Sequence, residues 1–224
     1  GMIRIALEWI GMTLQDFYDM PLDDEATIQG FRDNDCIGIF QFDGWAMRSV
    51  NSSLKPDNFD EIAAVNALAR PGPLHSNASG EYVEVKRGQK EPSLSHPMLD
   101  PIVSSTLGQI IYQEQILRIV REIGDFTWTH ASYIRKIISR KIGEQEFNRQ
   151  KGTFSEGALN KWMDQETIDK IWGACITAGG YAFNVPHCIS YGMLGYWTMW
   201  IKVHYPREFF ASALRKLADE KIMS

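Results

Sequence analysis

Gln113-Glu114-Gln115-Ile116-Leu117-Arg118-Ile119-Val120-Arg121-Glu122-Ile123-Gly124 is the stretch that decides the fold class. Ile116, Ile119, Val120 and Ile123 recur at helical spacing, so they share one face of an α-helix that Gly124 closes. Gln113, Glu114 and Gln115 fill its first turn, where the helix dipole favours a carboxylate. Glu114 also stands four residues ahead of Arg118, the spacing of a stabilising ion pair. A stripe of isoleucine and valine needs apolar partners, and the residues downstream supply them. Thr127 suits an N-cap for a helix whose apolar stripe is Ala131, Ile134, Ile137, Ile138 and Ile142. From Gln113 onward helices succeed one another almost without interruption, and the chain reads as mainly α.

Upstream the signals are shorter. Gln109 to Tyr112 reads as a short strand, and so does Cys36-Ile37-Gly38-Ile39-Phe40. Gln89 to Pro101 contains three prolines and is a candidate subdomain hinge. Arg70-Pro71-Gly72-Pro73 must break a helix, because proline removes a backbone donor and glycine permits positive φ. Helices are expected over Asp43 to Val50 and Phe59 to Leu68, with a turn at Lys55-Pro56-Asp57 between them. Another begins after Pro21-Leu22-Asp23-Asp24, with Asp23 as N-cap. The first helix carries Ile3, Leu7 and Ile10 on one face, and Gly1 ahead of Met2 reads as a cloning scar.

The 224 residues are 44% apolar, 12% aromatic and 23% charged, a composition that folds and buries a core. A net charge of -5 argues against a general nucleic-acid coat but leaves room for a local basic groove. Cys36, Cys175 and Cys188 form no CxxC motif and read as reduced core thiols of a cytoplasmic protein. Zinc ligation by Cys175, His187 and Cys188 fits no familiar spacing, and no metal site is expected. The longest apolar run, Cys188 to Val203, is short of the ~20 residues of a membrane span and is broken by Gly192 and Gly195. It reads as a buried helix, with Lys202 and His204 at its outer end, and no membrane partner is expected.

Two places gather groups that could meet an anion. The helix after Thr127 carries Lys136, Ser139 and Arg140 opposite its stripe, with Arg135 and Lys141 flanking it and Arg149 and Lys151 close behind. Such a face is either solvated or a phosphate site, since arginine's fork suits phosphate oxygens and lysine adds a point charge. The second place is Gly179-Gly180-Tyr181-Ala182-Phe183-Asn184-Val185-Pro186-His187, a glycine-led loop feeding a helix. Pro186 at its first position would set His187 in the first turn, where free N–H groups favour an anion, although a lone histidine at such a place is more often structural. Tyr191 and Tyr196 on that helix either pack or stack on a base, and Arg70 is either an anchored cation or an ion-pair partner.

Taken in order, these segments resemble the C-family replicative DNA polymerases of bacteria. The resemblance runs through Leu22-Asp23-Asp24, Gly38-Ile39-Phe40-Gln41-Phe42, Arg70-Pro71-Gly72-Pro73-Leu74 and Ile111-Tyr112-Gln113-Glu114-Gln115. It continues through Phe154-Ser155-Glu156-Gly157-Ala158 and Tyr181-Ala182-Phe183-Asn184 to Trp200-Ile201-Lys202-Val203-His204-Tyr205-Pro206, nearly the whole chain. It implies a mainly α, multi-helix fingers domain with a few short β-strands over residues 36–224, and a palm–fingers junction over 1–35.

The resemblance also implies roles. Arg135 and Lys136 would contact the triphosphate of an incoming dNTP, with His187 and Tyr191 near the nucleotide. From their own positions in the sequence, Arg140 is expected to join the dNTP contacts, and Lys141, Arg149, Lys151 and Arg70 to steady template-primer DNA. Val185-Pro186 stands where the family commonly has Lys-Ser, and Ser139-Arg140 where Gly-Lys is usual. The family's catalytic aspartates lie upstream of the matched region, so no catalytic residue is expected here. Mg²⁺ is expected only with dNTP and a palm on a separate polypeptide or a longer parent. Other expected partners are replisome proteins. The alternative is a non-enzymatic decoy or accessory protein of a phage or mobile element that binds DNA or replisome components, and a plain helical scaffold is the third option.

Overall fold

The computed structural model describes residues 1–140 and 142–222, with side chains through residue 218. Its helices are α1 (Met2–Ile10), α2 (Leu14–Tyr18), α3 (Glu25–Arg32), α4 (Trp45–Leu54), α5 (Phe59–Leu68), α6 (Pro71–His75), α7 (Ala78–Lys86) and α8 (Asp100–Val103). After them come α9 (Gln113–Glu122), α10 (Trp128–Ser139), α11 (Glu144–Asn148), α12 (Lys151–Leu159), α13 (Gln165–Gly179), α14 (Val185–His204) and α15 (Pro206–Ile222). The chain forms two compact units, Gly1–Ala69 with Cys188–Ser224, and Arg70–His187. Among the described residues there is no sheet, and no helix is long and apolar enough to cross a membrane.

Both expected strands are corrected. Cys36 to Phe40 runs through two turns, closed by Ile39 N–H to the Cys36 carbonyl at 3.1 Å and Phe42 N–H to the Ile39 carbonyl at 3.0 Å. Gly38 at φ 75° and Gln41 at φ 66° are left-handed, which breaks an extended run. The segment buries Cys36, Ile39 and Phe42 and exposes Ile37 and Phe40, a spacing of three rather than two. Of Gln109 to Tyr112, only Tyr112 pairs, in an isolated parallel bridge with Phe183.

In the first unit α14 supplies the core, with Tyr196, Met199 and Ile201 fully buried. The Tyr196 hydroxyl accepts from Asp24 N–H at 2.7 Å, and the Asp24 carboxylate accepts from Thr27 N–H at 2.8 Å. Asp24, not Asp23, is therefore the N-cap of α3. His204 reaches the same carboxylate at 2.9 Å. Lys202 is buried instead of lying at an outer end. Its ammonium donates to the Asp35 carbonyl, the Asp35 carboxylate and the Ile37 carbonyl at 2.9, 2.6 and 3.1 Å. Three acceptors for three protons make that burial tolerable.

The second unit is built on the apolar stripe of α9. Ile116, Ile119, Val120 and Ile123 are 0% exposed, and burying one such side chain is worth about 1.5–3 kcal/mol. Trp172 of α13 packs on Phe147 and Phe154 with ring centroids 4.9 Å away in each case, and its indole N–H reaches Asn148 at 3.2 Å. Ile142 falls outside the α10 stripe, because α10 ends at Ser139 and the side chain is 48% exposed. Arg70-Pro71-Gly72-Pro73 does end the run of α5, yet it also starts α6 with Arg70 as N-cap. Prolines are tolerated in a first turn, whose N–H groups lack helical partners anyway.

Candidate functional site

The C-terminal end of α10 is electrostatically open. Thr127 caps its start through His130 N–H at 3.2 Å, and the buried stripe turns Arg135, Lys136 and Arg140 outward. Among the described residues none of these three cations forms an ion pair with a carboxylate. Their place near the helix end is favourable, since the last carbonyls carry partial negative charge. Lys141 lies outside the described residues. A cavity of about 430 Å³ opens beside this end, lined by Ile137, Ile138, Gly143, Glu144, Phe147, Ile176, Thr177, Gly179 and Gly180. Neither Arg135, Lys136 nor His187 is among its lining residues.

The start of α14 is closed. The helix begins at Val185, so Pro186 and His187 are its second and third residues, one later than expected. Val185 N–H donates to the Glu114 carboxylate at 3.0 Å, Pro186 has no N–H, and His187 N–H donates to the Asn184 side-chain oxygen at 3.2 Å. The expected Glu114–Arg118 pair gives way to this long-range bond. Arg118 pairs instead with Glu122 at 2.8 Å and donates to the Pro101 carbonyl at 3.0 Å.

The loop before α14 is held just as firmly. Gln113 N–H donates to the Phe183 carbonyl at 2.9 Å, and Phe183 N–H to the Ile111 carbonyl at 3.1 Å. Gln115 is buried and fully used: its oxygen accepts from Ile111 and Tyr112 N–H at 2.9 and 3.0 Å, and its amide nitrogen donates to Thr106 Oγ1 at 2.6 Å. The Arg70 guanidinium lies 3.3 Å over the Phe183 ring, which meets the His187 imidazole edge-on at 4.8 Å. A Cβ on Gly72 would lie 2.4 Å from that of Tyr181, so only glycine fits. The segments around Arg70, Tyr112 and Phe183 thus form one interlocked structure, and α10 approaches it where Ile138 meets Gly179.

Several candidate cations have internal partners. Arg149 pairs with Glu146 at 2.5 Å, and Lys151 with Asp169 at 2.8 Å. Glu146 also accepts from the Tyr133 hydroxyl at 2.7 Å, and this bond, aided by Arg149, holds its carboxyl below the usual glutamate range. Tyr191 belongs to the first unit, its ring 5.4 Å from that of Phe40. Burial pushes the Cys36 and Cys175 thiols up to about 12. Among the described residues no three His, Cys, Asp or Glu side chains gather as metal ligands. Sequence reasoning missed the roles of Phe183 and Asn184. Asn184 was findable, because asparagine just ahead of a proline-led helix is a strong N-cap signal.

Comparison with known proteins places these features in a family. Residues 1–161 match the model of the bacterial DNA polymerase III alpha subunit finger domain, a span that includes Arg135, Lys136 and Arg140. The DNA polymerase III subunit alpha of Aquifex aeolicus is 36% identical over 206 residues, covering 92% of this chain and 17% of the relative. That of Halalkalibacterium halodurans is 39% identical over 193 residues, covering 86% of this chain and 17% of the relative. That of Pasteurella multocida is 34% identical over 223 residues, covering 97% and 19%. The chain thus spans less than a fifth of the length of these relatives.

Proposed function

We propose that this chain, which belongs to the bacterial DNA polymerase III alpha subunit finger-domain family, holds an incoming dNTP by its phosphates during DNA replication. The contact is made by Arg135, Lys136 and Arg140 at the end of α10. The observation that carries this reading is the exposure of three cations without a carboxylate partner, among the described residues of a chain whose net charge is -5. Arginine's planar fork binds phosphate oxygens in pairs, and lysine adds a point charge that needs no fixed geometry.

The His187 side chain, braced by Phe183, serves the same site. Fixed cations neutralise charge that spreads over phosphoryl oxygens, which is a positioning and electrostatic contribution. The metal-assisted step belongs to a palm outside these residues, with residues 1–35 adjoining it. Template-primer DNA is steadied by Lys141, Arg149 and Lys151. Exposed ion pairs are worth about 0–1 kcal/mol, so Arg149 and Lys151 exchange a carboxylate for a DNA phosphate at small cost. Arg70 is committed to Phe183 and acts on the site through it.

The test is Mg²⁺-dependent primer extension by the chain combined with a palm-containing polypeptide. Arg135→Ala with Lys136→Ala should lower extension at limiting dNTP at least tenfold by raising the dNTP KM. Extension unchanged by the double substitution would refute the assignment.

A further inference from the structure

A second cavity of the Arg70–His187 unit, of about 150 Å³, is lined largely by oxygen-bearing side chains. Its polar walls are Ser76, Glu81, Ser93, Gln109, Thr177 and Tyr181, and no lysine, arginine or histidine is among the lining residues. Leu94, Ile110 and Ala174 supply the apolar part. Gln109 is the least ordinary of these residues. It is 6% exposed, and its backbone is fixed, with its N–H on the Thr106 carbonyl at 3.0 Å and the Thr106 hydroxyl on its own carbonyl at 2.6 Å. Its side-chain nitrogen reaches only Ser93 Oγ, at 3.5 Å, and among the described residues no donor meets its side-chain oxygen. Buried carboxamides are normally satisfied, so this one has bonding capacity left for a guest. The segment that carries Ser93 is pinned beside it: a Cβ on Gly108, at φ 77°, would lie 2.5 Å from that of Pro92.

The charge of the guest follows from Glu81. Its carboxylate already holds an ammonium, that of Lys90, at 2.7 Å, in a pair whose lysine side chain is 46% exposed. Such a pair contributes little and yields to a competitor at small cost. An ammonium carries three donors and no acceptor, which matches a wall of carboxylate, carboxamide and hydroxyl oxygens. A divalent metal fits less well, because among the described residues no three His, Cys, Asp or Glu side chains gather. The cavity also exceeds the space of a bare ion, and its apolar part suits a carbon chain. We propose that it binds a short aliphatic amine, whose ammonium takes the place of Lys90 on Glu81 while its chain lies along Leu94, Ile110 and Ala174. So held, the amine ties the Gln89 to Pro101 segment to α7 and α13, the helices of Glu81 and Thr177.

The test is a titration of the chain with putrescine, followed in ¹⁵N–¹H spectra through the side-chain amide pair of Gln109. In the wild type that pair and the backbone amides of Ser93 and Thr177 should shift to saturation, while sodium chloride at equal ionic strength moves none of them. Glu81→Gln keeps the shape of the side chain, removes its charge and should weaken the apparent Kd at least tenfold. Lys90→Ala removes the resident ammonium and should tighten it. Where Glu81→Gln loses its dispersed spectrum, Gln109→Leu removes the carboxamide instead and should show a comparable loss at the Ser93 and Thr177 amides. A Gln109 pair that never shifts, or that follows sodium chloride equally, overturns the proposal. So does an affinity that the folded Glu81→Gln leaves unchanged, or one that Lys90→Ala fails to raise. Tighter binding of Nα-acetyl-lysine methylamide than of putrescine would overturn the free amine as occupant and assign the cavity to a lysine side chain of a partner protein.

Discussion

The end of α10 and the start of α14 belong to the same unit and are both rich in polar side chains, yet they are finished in opposite ways. At the first, Arg135, Lys136 and Arg140 project outward with no carboxylate partner among the described residues. At the second, Glu114, Asn184, Phe183 and Arg70 satisfy donors, fix a ring and stack on it. Under the proposed function, the difference separates binding from support: groups that stabilise the fold are already partnered, and the groups proposed to meet a ligand are exposed. A cation count along the sequence does not show which cations have internal partners; the fold does.

Substitutions on either side can break or sharpen this contrast. The largest effect is expected at Gly72, where an added Cβ meets Tyr181 at 2.4 Å. Gly72→Val should lower unfolding stability by about 1–3 kcal/mol, the usual cost of overpacking, as read by urea denaturation. Next is Arg70→Ala, which removes a guanidinium stacked at 3.3 Å on Phe183; a loss of about 1–2 kcal/mol fits a partly desolvated cation–π contact. Glu114→Ala should cost about 1 kcal/mol, the scale of a helix cap, and Glu114→Gln less than half of that. At the open end the sign of the comparison reverses. Arg135→Ala with Lys136→Ala should leave stability within about 0.5 kcal/mol of wild type, as for surface positions with no partner to lose. A large loss there would mean that these cations are structural, and the contrast would fail.

The smallest effect concerns pH. The Glu146 carboxyl, held low by Tyr133 and Arg149, stabilises the α10–α11 region while it is ionised. A depressed folded pKa gives stability above the unfolded glutamate value, lost as pH falls through the folded one. Acidification below the ordinary glutamate range should therefore loosen the Tyr133–Glu146 link, and Tyr133→Phe should weaken this pH response of the α11 amides, leaving the smaller part due to Arg149. An unchanged response in Tyr133→Phe would remove Tyr133 as its cause.

Much of the scaffold was legible in the sequence because it is set by local spacing. The α9 stripe, the Phe59–Leu68 helix and the Thr127 cap each depend on residues within a few positions of one another. What was illegible depends on distant partners. Glu114 sits four residues from Arg118 but bonds to Val185, 71 positions away, and Lys202 bonds to Asp35, 167 positions away. The Cys36–Phe40 run was misread because apolar content says nothing of the left-handed φ at Gly38 and Gln41. Of the candidate site, the α10 cations were readable from composition, whereas the closure of the α14 start required knowing which carboxylate the fold delivers to it.

The most direct measurement is an equilibrium titration of labelled dNTP with the chain across a range of salt, alongside the Arg135→Ala/Lys136→Ala variant. The predicted result is saturable binding that weakens as salt rises and falls at least tenfold in the variant. Binding that is absent, or that survives the double substitution undiminished, would contradict it.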